Sequence, residues 1–342
     1  MLRLDLNESP LDVDLELKQS ICRELETVAF NRYCTPEASG LVQALADYAG
    51  VDPAWVVPGN GADEMIAVTI SALAGPGGRV VIPSPTFPMY SVSARWAGAQ
   101  VVEVASPPPG FHLNGDGLET AVRQGPPRTA GRPGTVAIIC RPNNPTGHSC
   151  PVDLVERLLG LPGDPVVVVD EAYFEFSRTT VAPLLGRYPG LVVLRTMSKA
   201  FCLAGIRVGY ALARPDLARE LNQARLPFNI SAANQVIAKA LLREAPRFVA
   251  LGGRIQAWTQ DLQRGLAGTP GVVRALPTET NFVLFEPRKP ALRVREELLE
   301  CGIAVRYYPR IPALERYIRV STGTPEENLR FLTDLAKVLE NP

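Results

Sequence analysis

Short apolar runs rich in β-branched residues recur between residues 56 and 212, and stretches with helical spacing separate them. The runs do not alternate between apolar and polar residues, which is typical of strands buried on both faces of a parallel sheet that helices cover. The runs are residues 56–57, 80–82, 101–102, 136–139, 166–169 and 192–194. The sequence therefore predicts an α/β fold with a largely parallel central sheet.

A different pattern follows residue 234, where long helical stretches precede strand-like runs and a closing helix that begins at Glu326. The helical stretches and strand-like runs are residues 235–243, 248–265, 272–276 and 281–285. This pattern indicates a smaller α+β domain. A length of 342 residues also favours two units, because domains average roughly 150 residues. We expect a large domain at 26–233 and a small domain formed by 1–25 and 234–342.

Residues 106–134 contain PPPG, GPPR and GRPG, which interrupt regular structure. We expect a surface excursion with a short helix around 118–123 and no functional role.

Charge and composition disfavour several classes of partner. The 35 basic and 35 acidic side chains give a net charge of zero, and no block of like charge indicates a nucleic-acid or anionic-membrane binder. The apolar runs are far shorter than the ~20 residues of a membrane span. The first residues are acidic, unlike a secretory signal, so we expect a cytoplasmic protein.

Cysteine and histidine are few and scattered. The six cysteines include no C-x-x-C pair, and the only histidines are His112 and His148. A zinc site or a redox dithiol needs closely spaced cysteines or further histidines, and only two histidines are available for a catalytic triad. We therefore expect no metal site and reduced, structural thiols.

Lysine is rare in this chain, because only five of the 35 basic residues are lysines. Arginine replaces lysine as a surface cation but cannot form an imine with an aldehyde, since its guanidinium stays protonated. Four lysines lie in amphipathic or loop stretches and are interpreted as surface residues: Lys18, Lys239, Lys289 and Lys337. Lys199 differs, because it follows a predicted strand in the stretch RTMSKAFCLAGIRVGY.

The motif GNGADE at 59–64 follows a strand and opens a helix. Free backbone N–H groups and the helix dipole at such a place bind phosphate, although a tight glycine turn alone also explains the motif. Glu64 stands where the dinucleotide fingerprint has its third glycine, and the Walker lysine is absent, so NAD and ATP are disfavoured.

A buried strand ends at Asp170 in VVVVDEAYFEF, with Tyr173 one turn later. A carboxylate at the carboxyl end of a parallel strand lies where α/β proteins bind ligands, and its burial requires a cation or proton donor. The alternative is an aspartate that caps the following turn.

Lys199 has Thr196 and Ser198 beside it and Arg207 eight positions later. An amine near a phosphate-binding arginine, hydroxyl groups and a buried acid is the set that a pyridoxal phosphate imine requires. Taken together, these motifs predict a pyridoxal phosphate site.

On the basis of these residues and motifs, the chain resembles the fold-type I pyridoxal-phosphate-dependent aminotransferases of class I/II, and within them the histidinol-phosphate branch. The resemblance extends over nearly the whole chain. Its motifs are NESP, NRYCTPEASGLVQALADYAG, GNGADE, PSPTFPMYSVSA, RPNNPTG, VVVDEAYFEF, TMSKAFCLAGIRVGY, PFNIS, ETNF and YIRVSTGTPEEN. The last of these points to the histidinol-phosphate branch.

The resemblance implies roles toward the cofactor. Lys199 would form the Schiff base and carry a proton between the substrate Cα and the cofactor, and Asp170 would pair with the pyridinium nitrogen. Asn144 and Tyr173 would hydrogen-bond the 3-oxygen of the ring, and Phe87 would stack on the ring face. The phosphate would be held by the backbone amides of Ala62 and Asp63, by Ser198 and Arg207, and with a lesser part by Thr196.

The resemblance also implies a homodimer with shared active sites, in which Tyr33 of NRYC reaches the partner's cofactor phosphate. Arg306, Arg319 and Asn144 would face the substrate, and the two arginines would accept both carboxylates and a phosphate. The chain departs from the family where YYPRIPALE follows Arg306 and where Cys34 replaces a frequent proline. It also departs after NESP, where LDVD stands instead of an aromatic that commonly helps to hold the imidazole. These departures bear on side-chain specificity, not on the cofactor chemistry.

The leading hypothesis is a ping-pong aminotransferase that exchanges the amino group between L-histidinol phosphate and 2-oxoglutarate, giving imidazole acetol phosphate and L-glutamate, as in histidine biosynthesis. An aromatic amino-acid aminotransferase and a lyase similar to threonine-phosphate decarboxylase remain alternatives. A non-catalytic cofactor-binding module is disfavoured, because the catalytic groups are all present.

Overall fold

The computed structural model describes residues 1–129 and 133–340. The strands are β1 (Leu2–Leu4), β2 (Val56–Gly59), β3 (Arg79–Ser84), β4 (Gln100–Ala105), β5 (Thr135–Cys140), β6 (Val166–Asp170), β7 (Leu191–Thr196), β8 (Gly209–Ala213), β9 (Val272–Ala275), β10 (Phe282–Pro287), β11 (Ile303–Tyr307) and β12 (Ile318–Ser321). The helices are α1 (Leu15–Leu25), α2 (Ser39–Ala49), α3 (Ala62–Leu73), α4 (Met89–Trp96), α5 (Gly115–Arg123), α6 (Val152–Leu159), α7 (Phe174–Ser177), α8 (Pro215–Ala224), α9 (Ala232–Arg243), α10 (Ala245–Gly268), α11 (Ala291–Glu300) and α12 (Pro325–Glu340).

The central sheet has seven strands in the order β2-β8-β7-β6-β5-β3-β4. Five neighbouring strands, β7, β6, β5, β3 and β4, are parallel to one another. The strand β8 is antiparallel to both of its neighbours, β7 and β2. The prediction of an α/β fold with a largely parallel sheet is confirmed. Each apolar run that we predicted between residues 56 and 194 lies in one of these strands.

Both faces of the central sheet are buried, which explains the unbroken apolar runs. Along β6, Val167 and Val169 pack into one core on one face, while Val166 and Val168 pack into a second core on the other. Side chains alternate between the faces of a strand, so two helix layers each require an apolar side chain at every second position. Polar residues are thereby displaced to the strand ends.

A second sheet of five strands has the order β1-β11-β12-β10-β9. Only β1 and β11 pair in parallel, and the other pairs are antiparallel. The first strand of the chain thus joins a sheet whose other members all follow residue 271. The strands separate into two sheets, and the domain boundaries at residues 25 and 233 stay a prediction.

The region 106–134 contains α5, which begins three residues before the short helix that we predicted. Residues 130–132 of this predicted excursion lie outside the described residues. Among the helices that the structure describes, none has the length and apolar character needed to cross a bilayer.

Candidate active site

Polar side chains gather at the carboxyl edge of the central sheet, where the parallel strands end together. Asn144 follows β5, Asp170 ends β6 and Thr196 ends β7, and Lys199 comes three residues later. They line a cavity of about 240 Å³. The predicted site residues around this cavity are Ala62, Asp63, Phe87, Asn144, Asp170, Tyr173, Thr196, Ser198, Lys199, Arg207, Arg306 and Arg319.

One end of the cavity is built to receive an anion. Helix α3 begins at Ala62 and points its first backbone N–H groups toward this end, where helix termini attract negative charge. Arg207 donates through Nη1 to Ser198 Oγ at 3.3 Å, and Thr196 Oγ1 lies 3.0 Å from the same oxygen. Arg207 also donates through Nη2 to a carboxylate oxygen of Asp63 at 2.9 Å.

Gly61 makes this arrangement possible. Its φ of +82° lies in the region that favours glycine, and a Cβ atom there would come within 2.5 Å of Arg207 Nη2. The turn between β2 and α3 therefore needs a glycine in order to admit the guanidinium. The tight glycine turn that GNGADE suggested is present, and the anion site stays a prediction.

Asp170 is almost completely buried, with 3% of its surface exposed. The hydroxyl of Tyr90 donates to Asp170 Oδ2 at 2.6 Å, and the backbone N–H of Ala172 donates to Oδ1 at 3.0 Å. Burial raises the pKa of Asp170 to about 6, and these hydrogen bonds oppose the shift. A protonated ring nitrogen in the cavity would supply the cation that this carboxylate requires.

Lys199 lies in the cavity wall with its Nζ 3.3 Å from the carbonyl oxygen of Leu6. Burial, helped by the positive charge of Arg319, lowers the pKa of Lys199 to about 8. A larger fraction of this amine is therefore unprotonated near neutral pH than for an ordinary lysine. This is the property that a nucleophilic amine needs.

Asn144 and Tyr173 are buried, and each contacts a residue of the second sheet: Asn144 contacts Arg319 and Tyr173 contacts Phe282. Asn144 Oδ1 accepts a hydrogen bond from Arg319 Nη1 at 2.7 Å, which leaves its amide NH₂ group to donate elsewhere. The Tyr173 hydroxyl accepts from Asn7 Nδ2 at 2.9 Å, and burial raises the pKa of Tyr173 above its ordinary value.

Phe87 also lines the cavity. It packs edge to face on Tyr90, with ring centroids 5.6 Å apart.

Two arginines face each other at the other end of the cavity. Arg306 of β11 and Arg319 of β12 are directly opposite in the antiparallel register. Arg319 is buried and its Nε has no hydrogen-bond partner among the residues that the structure describes, whereas Arg306 is exposed. Like charges at opposed positions repel, so an anion between the two guanidinium groups would stabilise the pair.

Tyr33 is the one predicted site residue that the structure does not bring to the cavity. It is 84% exposed and stacks on Phe228 with ring centroids 4.7 Å apart. Its expected contact with a neighbouring subunit stays a prediction.

Sequence reasoning missed several residues of the cavity wall. They are Asp5, Leu6, Asn7, Ile66, Thr86, Pro88, Cys140, Ala172 and Tyr308. Tyr90, which donates to Asp170, was quoted within PSPTFPMYSVSA but was not assigned a role. Phe87 precedes α4 and its ring contacts that of Tyr90 in the first turn of this helix, so no helical spacing within the sequence connects the two residues.

Asn7, the first residue of NESP, was also not assigned a role. It has a φ of 53° and is almost fully buried, and asparagine tolerates this conformation better than most residues.

Within the part of the chain that the structure describes, no group of three or more His, Cys, Asp or Glu side chains is arranged to hold a metal ion.

Comparison with known proteins agrees with this geometry. The family described as aminotransferase class I and II matches residues 1–335. The chain is 34% identical to histidinol-phosphate aminotransferase of Desulfitobacterium hafniense, covering 99% of this chain and 92% of that protein. It is 37% identical to histidinol-phosphate aminotransferase of a Synechococcus strain, covering 99% of this chain and 93% of that protein.

Among solved structures, histidinol-phosphate aminotransferase from Sinorhizobium meliloti in complex with pyridoxal-5'-phosphate has a TM-score of 0.86 and 27% identity. The match covers 99% of this chain and 90% of that one. The cavity fits the same cofactor, because it is lined by a buried acid, by an amine with a lowered pKa and by the amino terminus of a helix. The chain therefore belongs to the class I and II aminotransferases, a family of pyridoxal-phosphate-dependent enzymes with the type I fold.

Proposed function

We propose that this protein transfers the amino group between L-histidinol phosphate and 2-oxoglutarate, forming imidazole acetol phosphate and L-glutamate by a ping-pong reaction. The observation that carries the proposal is the pair Arg306 and Arg319, opposed in register in the same cavity as Lys199. Two guanidinium groups suit a phosphate dianion at one stage and the carboxylates of glutamate at the other. The names of the most similar relatives support the same choice.

In this proposal, pyridoxal phosphate provides the electron sink that receives the electrons of the substrate's Cα–H bond. The first amides of α3, at Ala62 and Asp63, would hold its phosphate. The side chains that complete the phosphate site are Thr196, Ser198 and Arg207.

Phe87 would pack on the ring of the cofactor. Asp170 would keep the ring nitrogen protonated, and Asn144 and Tyr173 would hydrogen-bond the 3-oxygen.

Lys199 Nζ would hold the cofactor covalently and would carry a proton between the substrate Cα and the cofactor carbon. Its lowered pKa suits both acceptance and release of a proton near neutral pH. Arg319 holds the anionic group nearest the reacting carbon, since it is buried and donates to Asn144 beside the ring. Arg306 completes the anion site from the opposite strand.

We also propose that the enzyme is a cytoplasmic homodimer in which the Tyr33 side chain contacts the cofactor phosphate that the partner subunit binds. The exposed ring pair of Tyr33 and Phe228 supports this, because large aromatic rings at a surface are typical of interfaces.

The test is the absorbance spectrum of the purified holoenzyme mixed in turn with glutamate, histidinol phosphate, phenylalanine and threonine phosphate. We expect glutamate and histidinol phosphate each to convert the cofactor band to that of the amine form. Conversion by phenylalanine but not by histidinol phosphate would move the assignment to an aromatic aminotransferase. Release of aminopropanol phosphate from threonine phosphate would move it to a decarboxylase.

A lysine pair provides the matched control for the role of Lys199. Lys199→Arg keeps the charge but removes the amine that can form an imine, so both the band and the transfer should be lost. Lys337→Arg changes an exposed lysine on α12 and should leave both intact. Normal transfer by Lys199→Arg would contradict the assignment.

A further inference from the structure

Tyr90 connects the core of the central sheet to the buried acid Asp170. It lies in the first turn of α4 and is fully buried. Its ring packs in the same apolar core as Ile138 and Val168, on one face of the central sheet. A ring held in a close-packed core has little freedom to move, so the direction of its hydroxyl group is fixed. That hydroxyl donates to Asp170 Oδ2 at 2.6 Å.

Tyr90 acts as a hydrogen-bond donor toward Asp170. Burial and the negative charge of Asp170 raise the pKa of Tyr90 well above its ordinary value, so the hydroxyl keeps its proton near neutral pH. A hydrogen bond donated to a carboxylate stabilises its ionised form. The main-chain N–H of Ala172 also donates to Asp170, at 3.0 Å from Oδ1. Of these two donors, Tyr90 is the one that a side chain supplies.

Other influences on Asp170 oppose its ionisation. Burial is the largest of them, and the negative charges of Asp63 and Glu171 act in the same direction. Burial also raises the pKa of the Cys140 thiol, which lines the cavity, so this group adds no charge. The result is a pKa of about 6 for Asp170, which is comparable to that of a pyridine nitrogen. A proton shared by two groups of similar proton affinity is easily moved from one to the other, so a single hydrogen bond affects where it lies.

We propose that Tyr90 is a positioning residue that keeps the Asp170 carboxylate charged, so that the shared proton stays on the ring nitrogen of the cofactor. This inference rests on the proposed function, in which Asp170 pairs with that nitrogen. A protonated ring withdraws electrons more strongly than a neutral one, so the place of the proton sets the strength of the electron sink. Tyr90 does not line the cavity, and it therefore acts through Asp170.

The experiment measures the protonation of the ring nitrogen directly. The enzyme is loaded with pyridoxal phosphate that carries ¹⁵N in the ring, and solid-state NMR places the nitrogen shift between the protonated and unprotonated limits. Tyr90→Phe removes the hydroxyl and keeps the aromatic ring that contacts Phe87. We expect the ratio of protonated to unprotonated nitrogen to fall roughly tenfold to hundredfold, the effect of losing a hydrogen bond to a charged group. Both half-reactions should slow together, because they use the same electron sink.

Tyr48→Phe is the matched control. The Tyr48 hydroxyl donates to Glu175 Oε1 at 3.0 Å, Glu175 is another buried carboxylate, and neither residue lines the cavity. Its loss should lower the urea midpoint, while the nitrogen shift and both half-reactions stay as in the unaltered enzyme. Tyr90→fluorotyrosine makes the hydroxyl a stronger donor, so the ring nitrogen should stay at least as protonated as in the unaltered enzyme.

Three results would overturn the inference. An unchanged nitrogen shift in Tyr90→Phe would show that Asp170 holds the ring proton without Tyr90. Equal changes in Tyr90→Phe and Tyr48→Phe would assign the effect to a general loss of stability. A fluorotyrosine enzyme with a less protonated ring would contradict the role of the donor.

The NMR measurement needs no substrate, so its result does not depend on which amino donor the enzyme uses. An unprotonated ring nitrogen in the unaltered holoenzyme would show that the proposed pairing with Asp170 fails, and the inference would fail with it.

Discussion

Glu171 and Arg195 form a buried ion pair, and its loss should lower the free energy of unfolding. Glu171 follows Asp170, and its side chain meets Arg195 of β7 at 3.0 Å, with side-chain exposures of 0% and 4%. Thr180 Oγ1 and the N–H of Val181 also donate to the carboxylate. At this distance and an effective dielectric constant of about 20, the Coulomb attraction is ~5–6 kcal/mol.

Removal of one partner leaves the other charge buried without compensation. We therefore expect Glu171→Gln and Arg195→Met each to lower the free energy of unfolding by about 3–5 kcal/mol. The double variant should cost clearly less than the sum of the two single variants, because it removes both charges of the Glu171–Arg195 pair together. Urea unfolding of the holoenzyme, followed by tryptophan fluorescence, gives the midpoints and slopes for this cycle.

The exposed pair Arg264 and Asp261 supplies the control. Arg264→Met should leave the midpoint nearly unchanged, because water screens exposed charges. Costs below about 1 kcal/mol for the buried variants, or strict additivity in the cycle, would refute the reasoning.

Three other predictions concern the site and the subunits. Asp170→Asn should lower kcat at least about a hundredfold while the melting temperature stays within a few degrees, because the ring nitrogen loses its charged partner; an unchanged kcat would contradict that pairing. Burial raises the pKa of Glu175 to about 7 from 4.5, so the folded state binds an extra proton and stability should fall by up to about 3 kcal/mol as pH rises between those values. Urea midpoints at pH 5 and 7.5 should show this loss, and Glu175→Gln should remove it. An equal change of the midpoint between the two pH values in both proteins would count against the prediction. Mixing inactive Lys199→Ala and Tyr33→Ala proteins should restore some activity after subunit exchange, and no rescue despite verified exchange would count against shared sites.

The central sheet could be predicted from the sequence because its signal is local. An unbroken apolar run such as residues 166–169 requires burial on both faces wherever the strand lies. The prediction could not include the antiparallel direction of β8, since that depends on the path of the chain between β7 and β8 and not on the apolar pattern. The strands β11 and β12 were likewise missed, and their mutual register is what places Arg306 opposite Arg319.

The chemistry of the site was also partly encoded locally. Lys199, Asp170 and Arg207 could be selected because each lies at a strand end or in a short motif whose residue types suit one cofactor. Their assigned roles stay predictions, whereas their convergence on one cavity is a property of the structure.

What the sequence determined by itself is the class of fold, the family and the small set of residues able to carry the cofactor chemistry, because strand burial and short motifs depend on near neighbours in the chain. The tertiary structure alone decided which distant residues complete the site. Asn7 meets Tyr173 across 166 positions, and Asp5 meets Arg319 across 314. The first contact depends on how the two sheets pack, and the second depends on how β1 joins the sheet that contains β12. No local pattern of side chains specifies either arrangement.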